Sequence, residues 1–186
     1  MYYTWGYLKE NCLSKLNLTE EEANQQGFLS RFPYYANEAM TQICSAVKPK
    51  PVHLSIATEK PNEVITMPDD FVSFSDDVAT HNDYEAGDEV ITYHGYNQII
   101  CREPGIYGIW YNARWFFFTK ELHNADIITA PADVCDALAS YIVSQCYKID
   151  DEVKSSIYRN EYEMFLARID DSSFKSQRSF KVRGDW

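Results

Sequence analysis

The chain has 186 residues, of which 45% are apolar, and a net charge of −11. That length suits one domain, or one domain carrying an insertion, with enough apolar mass for a real core. Few cations are available over most of the chain to displace phosphate counterions, which argues against a nucleic-acid grip. No apolar stretch approaches the roughly 18 residues of a membrane helix.

The charge is uneven. Residues 172–186 hold four Lys/Arg and one Asp, whereas the preceding 171 residues hold 13 basic and 27 acidic residues. Five cysteines, at positions 12, 44, 101, 135 and 146, form no Cys-x-x-Cys pair. They read as reduced core thiols in a cytosolic setting. The opening "MYYTWGYLKENC" has neither a basic start nor an apolar run, so no signal peptide is expected.

In chain order, Trp5, Leu8, Cys12 and Leu16 recur at steps of three and four, the face of a helix over about residues 3–17. Thr19 and Glu22 make a capping box for a short turn that Gly27 ends. Pro33 suits the start of another helix, whose face runs Ala36, Met40, Ile43, Val47. From Pro51 the period becomes that of strands. "VHLSIA" alternates, "NEVITMPDDFVSFSDDV" holds two short runs split by a Pro-Asp turn, and "GDEVITYHGYNQIIC" holds two more around His94–Asn97. "IYGIWYNARWFFFTK" reads as a hairpin turning near Asn112-Ala113, apolar on both faces, and "ADIITAP" closes the region.

Helical spacing returns after Pro131 with Val134, Leu138, Tyr141, Ile142 and Gln145. Asp150 is the expected cap of a last helix, with Val153, Ile157, Glu161 and Met164 at steps of three and four and Tyr158, Tyr162, Phe165 and Ile169 alongside. The expected fold is therefore α+β: an antiparallel four-helix bundle (1–50 and 130–170), an inserted small antiparallel β region (51–129) and an extended tail (171–186).

Motifs for chemistry are sparse. Asp69, Asp70, Asp76, Asp77, Asp83, Glu85, Asp88 and Glu89 crowd 21 residues that contain no Lys or Arg. Their spacing lacks the alternation and central Gly of a calcium loop, so a solvated anionic surface is expected. His53, His81, His94 and His123 show no ligand spacing. There is no Gly-x-Ser-x-Gly, phosphate loop or dinucleotide fingerprint. Cys–His catalysis stays open only because such partners can meet in space. Arg183-Gly184-Asp185 spells an adhesion tripeptide, a match short enough to arise by chance. No catalytic residue, cofactor or metal is expected.

The order of parts resembles the head-to-tail connector, or adaptor, proteins of short-tailed bacteriophages. The residues that carry the resemblance are "FPYYANEAMTQICSAV" (32–47), "ITMPDDFVSFSDDV" (65–78) and "ITAPADVCDALASYIVSQCYKIDDEVKSSIYRNEYEMFLARI" (128–169). It implies a structural virion protein without catalysis, a homo-oligomeric ring (a dodecamer) below the portal protein. Downstream tail or neck proteins would follow, with DNA passing through the channel unbound and no membrane involved. It places the chain in the virion neck after assembly in the host cytoplasm. The alternative is a monomeric, non-enzymatic acidic binding or regulatory module. Trp110, Arg114 and Phe116 of the aromatic run are the expected partner contacts, joined by Phe174, Lys175, Arg178, Phe180, Lys181, Val182, Arg183 and Trp186 of the basic tail. Such a tail gains little by folding on its own subunit, whereas as a strand it could add to a neighbour's sheet edge.

Overall fold

The computed structural model describes residues 3–176 apart from position 78, with side chains described as far as Ile169. The described residues form five helices and eight strands, divided between two compact units, Met1–Lys48 with Phe118–Trp186 and Pro49–Phe117.

In the helical unit, α1 (Trp5–Leu16) starts where the Thr4 side chain accepts the Tyr7 N–H and stops at Asn17, whose left-handed backbone lets its N–H reach Leu13 and Ser14 carbonyls. The spacing Trp5, Leu8, Cys12, Leu16 is its buried face. The Thr19–Glu22 capping box opens α2 (Glu20–Gln25), and Gly27 turns the chain with φ +71. Pro33 sits in the first turn of α3 (Phe32–Ala46), where its missing N–H costs nothing; Ala36, Met40 and Ile43 are buried.

Eight strands follow in the second unit: β1 (Lys50–Thr58), β2 (Glu63–Thr66), β3 (Phe71–Phe74), β4 (Thr80–His81), β5 (Tyr84–Glu85), β6 (Ile91–His94), β7 (Gln98–Cys101) and β8 (Gly105–Ala113). They make two antiparallel sheets. One has the order β1-β8-β4-β5 with β3 also on β8; the other has the order β2-β7-β6. Met67, Phe71, Ile91, Ile99, Cys101, Tyr107, Ile109 and Tyr111 share one core. Asn82 and Asp83, both with positive φ, make the two-residue turn between β4 and β5, a geometry that suits the right-handed twist of the flanking strands.

The chain then completes the helical unit with α4 (Ala132–Tyr147) and α5 (Glu152–Ser176). Residues 118–129 count with this unit. Phe118 packs on Trp5 and exchanges hydrogen bonds with the Asn37 amide, and "ADIITAP" supplies a single bridge, Thr4 to Ile127, rather than a strand.

Three sequence expectations need correction. The four-helix bundle with a small β region does not hold: the described residues form an α+β fold with five helices and eight strands in two antiparallel sheets, whose core is their own. A bundle places four amphipathic helices around a shared axis. Here α4 is itself the centre, with eleven of its sixteen residues buried, and α1, α3 and α5 pack onto it. Nor does the chain turn at Asn112-Ala113. Those residues pair with Pro51 and Lys50 within an unbroken β8. A tight hairpin turn asks for positive φ, which Ala resists. The tail does not begin at 171, because α5 continues to Ser176, and residues 177–186 lie outside the described residues. A smaller shift concerns the cap of α5: Asp151, not Asp150, accepts the Lys154 N–H.

Candidate interaction surfaces

Two polar knots set the orientation of α5. Lys15 on α1 donates to both Glu161 carboxylate oxygens at 2.8 and 2.9 Å, and the buried Ser140 hydroxyl of α4 donates to the same carboxylate at 2.9 Å. The Tyr158 hydroxyl donates to the Lys15 carbonyl. On the next turn Tyr162 is fully buried, its ring against Tyr141 and its hydroxyl near the Gln42 amide oxygen. Tyr162 and Ile169 therefore face the core, and Glu161 turns inward with them rather than extending the Val153–Met164 row.

The row that stays outside is mostly apolar, with the exposed Asn160 between Ile157 and Met164. Val153 is 71% exposed, Ile157 57% and Met164 58%, all on the side of α5 away from Tyr162. Steps of four and seven keep them on one stripe. A helix in a folded unit normally offers its second face to water as charged and polar groups. This one offers both a buried and an exposed apolar face.

The residues expected to meet partners scatter. Trp110 is partly exposed on β8 with its ring 4.8 Å from that of His53 on β1. Its neighbours Ile109 and Tyr111 face the core, so β8 has one dry face rather than two sticky ones. Arg114 leaves the sheet. Its guanidinium donates to the Asp69 carbonyl and lies over the Phe117 ring, and its backbone N–H bonds to Asp70. Phe116 is half-buried and Phe117 exposed. Phe174 and Lys175 fall in the last turns of α5, while Arg178, Phe180, Lys181, Val182, Arg183 and Trp186 lie outside the described residues. Sequence reading missed the α5 stripe as a surface, although its spacing was visible. Only the packing shows which of two apolar rows is spent on the core.

The acidic run is partly structural. Asp70 accepts the Tyr111 hydroxyl at 3.0 Å, Asp77 accepts the Ser75 hydroxyl, and Asp83 occupies the β4–β5 turn. The other acids of the run point to solvent. Among the described residues no three His, Cys, Asp or Glu side chains converge as a metal set would. Calorimetric titration with calcium is accordingly expected to give no saturable heat. A tight one-to-one site would contradict it.

One concave feature is open and already holds a structural pair. An open groove of about 350 Å³ is lined by Leu16, Phe28, Tyr147, Asp151 and Lys154, where Asp151 caps α5 and pairs with Lys154 at 3.3 Å. None of the five cysteines is in a disulfide, and all five are buried. Burial pushes Cys101 up to about 11 and Cys135 and Cys146 up to about 12, and raises Cys12 as well. An activated nucleophile needs the opposite shift and some access to solvent. A thiol reagent at pH 8 is expected to label none of the five in the native protein and all five in denaturant. Because these folded-state values lie above the ordinary 9.0, the stability they confer is complete below pH 9 and is lost as pH rises through about 11 to 12. Urea midpoints at pH 8 and pH 11 should show that loss.

No protein-family model matches the chain, and a search of curated proteins finds no relative. Among the described residues no helix is long and apolar enough to cross a membrane.

Proposed function

We propose that the chain is a structural subunit of a bacteriophage head-to-tail adaptor, a homo-oligomeric ring that seats below the portal protein and passes DNA on to the tail. The observation that carries this reading is the second apolar face of α5, Val153, Ile157 and Met164, which a neighbouring copy would cover. The charge supports it. A body with 27 acids against 13 bases before residue 172 repels phosphate, so DNA in the channel would slide rather than stick. On this reading the protein acts by shape and assembly, is built into the virion neck in the host cytoplasm, and touches the portal on one side and downstream neck or tail proteins on the other.

The test is size and place. Mass photometry of the purified chain, alone and with the portal protein, should reveal a ring-sized species, and electron microscopy of assembled particles should find the chain in a ring below the portal. A chain that stays monomeric with the portal and is missing from particles would instead be the acidic, non-enzymatic binding module.

A further inference from the structure

Among the described residues strand β1 is a sheet edge of nine residues, about 30 Å of backbone. It pairs with β8 on one side only, from Lys50↔Ala113 to Thr58↔Gly105. Which of its backbone groups face the open side follows from β8. The Trp110 carbonyl accepts the Ser75 N–H at 3.2 Å and the Ile106 carbonyl accepts the Asn82 N–H at 2.8 Å, so both turn away from β1. Their partners across the ladder, His53 and Ala57, are then the pairs that do not exchange hydrogen bonds, and Ser55 between them has the same parity. His53, Ser55 and Ala57 thus present N–H and C=O groups outward, and among the described residues no backbone donor or acceptor meets them.

Natural edges are blunted by charge, proline or cover. β1 has Lys50 and Pro51 at one end, but 52–58, "VHLSIAT", carries no Lys, Arg, Asp or Glu. Val52, Leu54 and Ile56 reach the core of the β unit yet stay only partly buried. Over 52–58 the edge carries no Lys, Arg, Asp or Glu and, among the described residues, meets no second strand, as a strand acceptor would.

The same chain holds a sequence that suits a donor. In "RSFKVR" (178–183) Arg178, Phe180 and Val182 alternate with Ser179, Lys181 and Arg183, so a strand of this sequence would carry Phe180 and Val182 on one face, with Arg178 at its start, and Lys181 and Arg183 on the other. The β unit, 49–117, holds four Lys/Arg against eleven Asp/Glu, a net of −7, whereas 178–186 holds three Lys/Arg against one Asp. We infer that residues 178–186 of one copy add as a strand to the β1 edge of another copy. Phe180 and Val182 continue the row of Val52, Leu54 and Ile56, and Lys181 and Arg183 on the other face meet the acidic β unit. The inference rests on the reading above that copies of this chain assemble.

Two full-length variants test it. Ser55→Pro removes an outward N–H that the β1–β8 ladder does not use, so the sheet is kept. Phe180→Asp with Val182→Asp leaves the edge intact and spoils the strand. Each alone should weaken self-association in mass photometry by about tenfold or more, the equivalent of about 1.4 kcal/mol per factor of ten. Mixing the two should restore a one-to-one pair, because one brings a good strand and the other a good edge. In the wild-type assembly the amides of 53, 55 and 57 should exchange hydrogen slowly, and in the strand variant fast. If circular dichroism shows Ser55→Pro to be unfolded, Ala57→Pro blocks the same edge in its place. Three results would overturn the inference: wild-type association in both variants, no rescue on mixing, or protected amides in a wild-type monomer. Electron microscopy separates the two readings. Rings that persist below the portal in both variants leave the adaptor standing and remove the strand exchange. Rescue on mixing without any ring on particles does the reverse.

Discussion

Ile157→Asp combined with Met164→Asp is expected to abolish ring formation while leaving a folded monomer. Both side chains are more than half exposed, so in the isolated chain each change should shift stability by no more than about 0.5 kcal/mol. At a subunit contact the same two carboxylates would lose their water without a partner, a cost of several kcal/mol. Each 1.4 kcal/mol is a factor of ten, so association should fall by about a hundredfold or more. Mass photometry measures the assembly and circular dichroism the fold. Rings that form unchanged would mean that the stripe faces solvent, and the observation carrying the adaptor reading would be lost.

Leu138→Ala is expected to be the most damaging single truncation in the helical unit. Leu138 is fully buried on α4, the helix onto which α1, α3 and α5 all pack. Its neighbours Ala137, Ala139 and Ser140 are buried as well. A cavity there is walled by several elements at once and collapses poorly. The expected loss is about 3 kcal/mol or more, out of a typical total of about 5–15. Tyr34→Ala, at an exposed site on α3, is the control and should change stability by less than about 1 kcal/mol. Urea denaturation followed by circular dichroism compares the two. Equal midpoints would show that α4 is not the centre of the unit's stability.

Much of the local structure was legible because its causes are local. The Thr19–Glu22 capping box needs only three residues of spacing, and it forms. Trp5, Leu8, Cys12 and Leu16 needed a period, and all four are buried. The Gly95 turn between β6 and β7 needed one residue tolerant of positive φ. The run after Ile106 failed for a related reason. Aromatic residues favour strands on either side of a turn, and nothing local separates one long strand from two short ones except the turn residue, which Asn112-Ala113 does not supply.

By itself the sequence determined the alternation of helical and strand grammar, the caps, the burial of the cysteines and the segregation of acid from base, because each rests on composition or on contacts within one turn. Only the tertiary structure decided that α4 is a hub and not one stave of a bundle. The pattern of α4 is apolar nearly all round, and a period cannot say how many neighbours a helix has. It also decided which row of α5 is surface: Val153, Ile157 and Met164 match Tyr162 and Ile169 in hydrophobicity, and the choice falls to the Glu161 and Tyr162 hydrogen bonds that turn one row inward. The open edge of β1 belongs to the same class, since a strand's own residues do not record whether one neighbour or two will pair with it.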